Sequence, residues 1–255
     1  MPSPRITVAV PSLNQGNFLN VALESIFAQD VPVEVFVLDG GSTDNSLAII
    51  RQWEGRLAGW RSGPDRGQAS AINEGIAKGT APCVCWLNSD DFFLPGGLKE
   101  LLAGLEQDAD CPAAYGRAWN VDRGGKKIRP YWTAPFSRHH LANRCFISQP
   151  ATLIRRTAWE QVGGLDENLR MAMDYDLWWR LYLRFGPLQY VDAFVAANRR
   201  HDDTKTTVNR EEHYREAMRL VKRYYGRIPL KWYLAWPVMV NMWMFLQKMK
   251  KHKEI

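Results

Sequence analysis

Short apolar runs alternate with helically spaced apolar positions through the first hundred residues. Ile6 to Val10 is a β-rich run closed by Pro11-Ser12. After the loop Asn14-Gln15-Gly16-Asn17, the residues Phe18, Val21, Ala22, Ser25 and Ile26 recur at helical spacing. Val33 to Leu38 is a second strand, ending in Asp39-Gly40-Gly41-Ser42-Thr43-Asp44. Ser42 or Thr43 is placed to cap the helix that follows through Leu47, Ile50 and Trp53. A turn, Gly63-Pro64-Asp65-Arg66-Gly67-Gln68, precedes a helical pattern from Ala69 to Lys78. Cys83 to Leu87 then reads as a buried strand that stops abruptly at Asn88-Ser89-Asp90-Asp91, with a further helix beginning near Pro95. Strand, polar turn and helix in repetition predict a mostly parallel, Rossmann-like α/β sheet with right-handed crossovers.

The polar ends of these strands carry the candidate chemistry, because open α/β sheets bind ligands beyond the carboxyl ends of their strands. Asp90 and Asp91 repel each other unless a cation intervenes, and Mn²⁺ or Mg²⁺ bridging to a phosphate would serve. The plainer alternative is a loop that caps the next helix. Asp39 is placed to accept hydrogen bonds from a ribose or a base, with Gly40 and Gly41 allowing close backbone approach; a simple Asp-Gly-Gly turn explains the same residues. Asp65 could meet a base and Arg66 a phosphate, or both are solvated loop charges. Asn73 lies on the third helix and is expected to face the same cleft.

Composition narrows the classes. A chain of 255 residues with 46% hydrophobic and 24% charged content supports one large globular α/β body with an appendage. The net charge of +6 is mild and concentrated near the C-terminus, and no basic stripe interleaved with aromatics runs through the body, which argues against nucleic acid. Cys83, Cys85, Cys111 and Cys145 include no C-x-x-C pair, so neither a zinc site nor a disulfide framework is expected; Cys83 and Cys85 are read as small buried hydrophobes on one strand face. With no apolar signal-peptide core in Met1-Pro2-Ser3-Pro4-Arg5, the expected location is the reducing cytoplasm.

Four pieces, Pro11-Ser12-Leu13-Asn14, Leu38-Asp39-Gly40-Gly41-Ser42-Thr43-Asp44, Gly63-Pro64-Asp65-Arg66-Gly67-Gln68 and Asn88-Ser89-Asp90-Asp91, stand in the order and spacing of family 2 glycosyltransferases. The chain resembles these inverting, nucleotide-sugar-dependent enzymes of the GT-A fold. It departs from their common pattern at Gly40 and Asn88, where many members carry Asp. The resemblance implies a nucleotide-sugar site built from Pro11, Ser12, Asn14, Asp39, Gly40, Gly41, Asp65, Arg66, Gln68, Asn73 and Asp90. It further implies a metal held on the donor diphosphate by Asp91.

The second half is less regular. Ala113 to Val121 reads as a strand, Asp122 to Lys127 as a hairpin turn and Ile128 to Trp132 as the returning strand. Phe146 to Ile154 brings the chain back to the sheet, and a helix starts near Arg156. In Met171-Ala172-Met173-Asp174-Tyr175-Asp176-Leu177-Trp178, Asp174 falls at a helix start and would cap it on structural grounds alone. The segment also resembles the family's Glu-Asp-x-Asp stretch, with Met173 in place of Glu, which implies that Asp174 is the base for the acceptor hydroxyl. Gln149, Met173 and Trp178 are assigned to the acceptor side. Val191 to Ala197 reads as a last strand. It leads to Asn198-Arg199-Arg200-His201, where the resemblance makes His201 a metal ligand or diphosphate contact; Lys205 is read as an ordinary loop lysine.

Residues 209–225 form a charged amphipathic helix. Trp232 to Leu246 is almost wholly apolar, yet fifteen helical residues reach only about 22 Å against a hydrocarbon core of about 30 Å. With Trp232, Trp236, Trp243 and the lysines at 248, 250, 251 and 253, this tail suits the surface of the cytoplasmic membrane's inner face. A helix packed on the body or on a second copy of the chain is the alternative. The expected organisation is thus a GT-A domain over 1–225, with a nucleotide-sugar half to about 110 and an acceptor half to 225, then a helical tail over 226–255. The expected reaction moves a hexosyl or N-acetylhexosaminyl group from a UDP-sugar to a saccharide or lipid-linked saccharide, as in surface polysaccharide or glycolipid assembly. A dehydrogenase would show G-x-G-x-x-G after the first strand and a nucleotidyltransferase a Gly-rich basic loop; the chain has neither. A catalytically inactive nucleotide-sugar-binding protein is the non-enzyme alternative.

Overall fold

The structure is a computed structural model and describes residues 3–201 and 209–236. Among the described residues nine strands form one sheet: β1 Ile6–Ser12, β2 Val33–Asp39, β3 Gly59–Ser62, β4 Cys83–Trp86, β5 Phe92–Phe93, β6 Ala113–Val121, β7 Lys127–Pro130, β8 Thr152–Arg155 and β9 Gln189–Arg199. The order is β3-β2-β1-β4-β8-β6-β9-β5, with β7 paired to β6. β1 to β4 run parallel, β8 enters antiparallel between β4 and β6, and β9 lies parallel to β6. The sheet is therefore mostly parallel, as expected, and continuous through residues of both halves of the chain.

The helices are α1 Gly16–Phe27, α2 Ser46–Trp53, α3 Gln68–Lys78, α4 Gly97–Glu106, α5 Arg138–Asn143, α6 Arg156–Gln161, α7 Met173–Phe185, α8 Arg210–Tyr225 and α9 Leu230–Trp236. One core joins α1, α2 and α4 to the sheet through Leu19, Leu23, Ile26, Ile50, Leu98 and Leu101, with Cys83 and Cys85 together in it. The other joins α3 and α5 to α9 through Ile72, Leu141, Trp159, Leu177, Trp178, Leu220 and Trp232. Apolar spacing of 3.6 residues gives each helix one such face.

Several local expectations are revised. Helix α2 is preceded by Asn45 at its cap position, so neither Ser42 nor Thr43 caps it. Gly96, in the left-handed region at φ 72°, precedes α4; the Asp90–Asp91 pair caps nothing and turns the chain into β5 instead. The returning strand covers Lys127–Pro130 and not Trp132, and the last strand starts two residues earlier and ends two later than the apolar run suggested. Trp232 is core, its indole N–H donating to the Ala142 carbonyl at 2.8 Å, and Trp236 lies against Tyr214. The apolar tail thus begins by packing on the body; its remainder, with Trp243 and the lysines, lies outside the described residues. No helix among the described residues is long and apolar enough to cross a membrane.

Candidate functional site

The register of β1 on β2 pairs Ser12 with Asp39, so the loops following both strands emerge side by side. They are laced together. Asn14, at φ 53°, accepts from Thr43 N–H at 2.8 Å through its side-chain carbonyl and donates its own N–H to Ser42 Oγ. Gln15 N–H meets Ser46 Oγ and Gly16 N–H meets Asp44 Oδ2. A Cβ on Gly16 would fall 1.8 Å from Asn45 Oδ1, which is why glycine stands there. Asp39 is fully buried and accepts from Gly41 N–H, Ser42 N–H, Ser42 Oγ and Ser62 Oγ. Gly41, at φ +88°, makes the tight turn. Of the two readings of Asp39-Gly40-Gly41, these contacts form the turn, which takes three bonds on Asp39 Oδ2 and one on Oδ1.

Beyond these loops lies a cleft of about 1050 Å³. Pro11, Ser12, Leu13, Gln15, Asp65, Gly67 and Gln68 line one end, and Asn88 to Asp91 the floor. A chain of side-chain amides runs along the floor. Gln68 donates to Asn88 Oδ1 at 2.8 Å, Asn88 donates to Gln149 Oε1 at 3.0 Å and to Asp91 Oδ2 at 3.3 Å, and Gln149 donates to the Trp86 carbonyl. Gln149, expected on the acceptor side, is thus tied to the middle of the floor. Asp65 is fixed by the Gly67 N–H.

Asp91 accepts the Arg199 N–H at 2.9 Å through its other oxygen. Burial first, and then the neighbouring Asp90, push its carboxyl well above the usual carboxylate range. Asp90 is more open, and its Oδ2 lies 3.1 Å from His201 Nε2. The structure therefore pairs His201 with Asp90, whereas Asp91 was the expected companion. Arg199, buried behind both, donates to the carbonyls of Asp90 and Arg123 and lies over the Phe18 and Phe92 rings. Among the described residues no three His, Cys, Asp or Glu side chains converge as a metal-ligand set. The residues present fit a lesser role. Two adjacent carboxylates, one of them desolvated, are relieved by a divalent cation that takes its remaining ligands from water and substrate phosphate, which is how Mg²⁺ is commonly held.

Asp174 lines the same cleft, in the first turn of α7, with its Oδ1 accepting the Tyr175 N–H at 2.8 Å. Ala172 occupies the cap position, so Asp174 is not the helix cap. Burial raises its carboxyl from 3.8 to about 6, and hydrogen bonds from the Tyr175 and Asp174 N–H groups oppose the rise. A carboxyl with a midpoint near 6 is mostly ionised at neutral pH and is more basic than an ordinary aspartate, which suits a general base. Met173 lines the cleft beside it.

Asn14, Asp39, Gly40, Gly41 and His201 are not among the residues lining the cleft, and neither are Trp178, Asn73 and Arg66. Trp178 is fully buried and stacks on Trp86 with centroids 6.1 Å apart, because it sits one helical turn inside the core face of α7; it cannot touch an acceptor. Asn73 exchanges hydrogen bonds with the backbone of Leu165 and joins α3 to the loop before α7. Arg66 points into solvent and pairs with Glu167 at 2.9 Å.

Two features escaped sequence reasoning. Buried Glu216 of α8 accepts the N–H groups of Arg170, Met171 and Ala172, the three residues that lead into α7. Its signal was its place beside Ala217, Leu220 and Val221 on the apolar face of an otherwise charged helix. The second is the cleft's share of arginines, Arg129, Arg144, Arg170, Arg199, Arg200 and Arg210, drawn from distant segments.

Comparison with known proteins bears on the family and the fold. The sequence model of glycosyl transferase family 2 matches residues 7–163. The chain is 31% identical over 194 residues to the succinoglycan biosynthesis protein ExoU of Rhizobium meliloti, covering 69% of this chain and 56% of that protein. It is 24% identical over 242 residues to chondroitin synthase of Escherichia coli, covering 92% of this chain but 34% of that protein. The chain thus spans about a third of the one relative and just over half of the other. Among solved structures, S. aureus TarS in complex with UDP-GlcNAc superposes with a TM-score of 0.70 at 19% identity, covering 86% of this chain and 66% of that one. The mannosyltransferase PcManGT of Pyrobaculum calidifontis, in complex with GDP-Man and Mn²⁺, superposes with a TM-score of 0.61 at 18% identity, covering 86% and 65%. The α/β sheet is that of the GT-A fold, and with the family match extending over more than half of its residues, the chain belongs to glycosyl transferase family 2.

Proposed function

We propose that the protein transfers a hexosyl or N-acetylhexosaminyl group from a nucleoside-diphosphate sugar, UDP-linked, to a hydroxyl of a saccharide or lipid-linked saccharide, with inversion, during polysaccharide or glycolipid assembly. The carrying observation is that one cleft is lined by Asp90, Asp91 and Asp174, the last with its carboxyl raised to about 6 by burial. The names of the relatives, a succinoglycan biosynthesis protein and a chondroitin synthase, support polysaccharide assembly, and UDP-GlcNAc in the TarS structure supports a UDP donor.

In this reading the nucleotide rests on Pro11, Ser12 and Leu13 and on Asp65 to Gln68, and the diphosphate faces Asp90 and Asp91. Mn²⁺ or Mg²⁺, held by these carboxylates with His201 nearby, would offset negative charge on the leaving diphosphate. Asp174 takes the proton of the acceptor hydroxyl as that oxygen forms its bond to the anomeric carbon and the bond to the diphosphate oxygen breaks. One in-line displacement inverts the carbon, so no enzyme nucleophile is required. The part of the tail outside the described residues is proposed to meet the inner membrane surface or a second copy of the chain; flotation with anionic liposomes at low and high salt tests the former.

A donor screen tests the whole reading. Thermal shift with Mn²⁺ against UDP- and GDP-sugars should reveal one donor that raises Tm by mass action. A panel in which no nucleotide-sugar shifts the transition, with or without Mn²⁺, would remove the transferase assignment.

A further inference from the structure

The lining of the cleft is rich in cations. Arg129 of β7, Arg144 beyond α5, Arg170 before α7, Arg200 beyond β9, Arg210 of α8 and Lys231 of α9 all line it. They come from six separate segments between residues 129 and 231, so the fold gathers them and the chain's local composition does not. Asp174 lies among them, since Arg144, Arg200 and Asp174 all act on the Tyr131 hydroxyl, and the buried Glu216 carboxylate holds the backbone of residues 170–172 nearby.

These cations differ from the structural arginines around them. Arg155 gives its donors to the carbonyls of Leu105, Asp108 and Cys111. Arg156 gives its own to Ala81, Ile76 and Thr7, and Arg180 pairs with Asp176. By contrast, no described carboxylate pairs with Arg129, Arg144, Arg170 or Arg200. Arg200 donates through Nε to Asn120 Oδ1 at 2.9 Å, and Arg144 lies over the Tyr131 and Trp132 rings with its guanidinium edge open. The cluster is close enough for its members to disfavour one another's charge: after burial, Arg129, Arg210 and Arg144 lower the proton affinity of Arg200. Gathering like charges in a concave site is unfavourable until a counter-ion fills it, and guanidinium forks match the planar spacing of carboxylate and phosphate oxygens. Tyr131 and Tyr214 line the cleft as well, Tyr131 with Arg144 over its ring.

We infer that the acceptor is anionic: a saccharide carrying a phosphate or carboxylate next to the hydroxyl that Asp174 deprotonates, its oxyanion held by Arg144, Arg200 and their neighbours. This rests on the transferase reading for which part of the cleft is the acceptor's, and it narrows the substrate class of that site. A neutral glycan would give Arg129, Arg144, Arg170 and Arg200, which pair with no carboxylate among the described residues, nothing anionic to hold.

The test uses the full chain with saturating UDP and Mn²⁺, so that the diphosphate site is filled, and three probes of one parent sugar: glucose, glucose 1-phosphate and glucuronate. Calorimetry or ligand-observed NMR reads their affinities in the wild type, in Arg144→Ala/Arg200→Ala and in the conservative Arg144→Lys. Both arginines are solvent-exposed, so the variants should fold. At least one charged probe should bind tenfold or more tightly than glucose, weaken with salt, and lose that advantage in the double variant while UDP affinity stays within twofold. Preference for glucose 1-phosphate over glucuronate assigns the oxyanion to phosphate, and the reverse to an acidic sugar. Equal binding of all three probes by the wild type overturns the inference. So does a double variant whose loss falls on UDP instead, because the cluster then serves the donor. UDP affinity is measured separately, so failure of the transferase reading shows in that titration and failure of the anionic-acceptor inference in the probe titrations.

Discussion

Replacing Asp174 by Asn tests a base against a structural group in one variant. Burial has raised its carboxyl from 3.8 to about 6. The folded-state value lies above the unfolded one, so the folded protein holds an extra proton between about pH 4 and 6. Stability therefore falls as pH rises through that window and stays lower above it. The displacement corresponds to about 3 kcal/mol as an upper bound, and partial access of solvent to the cleft reduces this to about 1–3 kcal/mol. Asn keeps an oxygen for the Tyr175 N–H, which Asp174 accepts at 2.8 Å, and carries no charge to desolvate. Asp174→Asn should then be more stable than the wild type by about 1–3 kcal/mol at pH 8, and the difference should vanish near pH 4. Denaturant melts at the two pH values measure it. Turnover should fall by about two to four orders of magnitude with donor affinity unchanged, and wild-type kcat/KM should decline below pH about 6 as the base becomes protonated. A group serving only the helix dipole predicts the opposite sign, a loss of about 0.3–1 kcal/mol on neutralisation. A variant that is less stable than wild type at pH 8, or that keeps most of its turnover at saturating substrates, refutes the reasoning.

Asp91→Asn should abolish Mn²⁺-dependent strengthening of nucleoside-diphosphate binding while the protein stays folded; calorimetry with and without Mn²⁺ decides it, equal affinities counting against the carboxylate pair as the cation's seat. Glu216→Ala leaves three backbone N–H groups short of their acceptor and should cost about 3–5 kcal/mol. Glu216→Gln, if folded, should lower kcat more than it alters donor affinity. Trp178→Ala should destabilise by about 3–5 kcal/mol, as for other buried large-to-small changes, with no selective rise in acceptor KM; a variant of normal stability with a changed acceptor KM would return Trp178 to the site.

What could be read from the sequence follows from how local each signal is. The strands ending at Ser12, Asp39 and Trp86, and the helices after them, announce themselves by apolar period alone, because each buries a face against its immediate neighbours. Asp90, Asp91 and Asp174 could be singled out because motif spacing along one chain places them at strand or helix ends. The direction of a side chain was less legible. Asp39 occupies its expected position at the end of β2, yet spends its oxygens on Gly41, Ser42 and Ser62. Trp178 is three residues from buried Leu181 and shares its face, a spacing that indicated core as readily as site. Contacts across a hundred residues, such as Asp91 with the Arg199 N–H, have no local trace at all. The cationic lining of the cleft is the extreme case, since no two of its arginines need be neighbours for the fold to collect them.

The bonds from Glu216 to the three residues before α7 have a consequence for recombination. The last described helices, α8 and α9, line part of the cleft, which makes them attractive parts to exchange when a new acceptor is wanted. They also hold, through one carboxylate and through the Tyr224 hydroxyl on Asp176, the segment that sets where the proton is taken. A transplanted α8 that lacks an acid at that point would import a new lining and misplace the base together with it. Chimeras at this boundary should therefore work in inherited pairs, with residues 170–176 travelling alongside the helix that grips them.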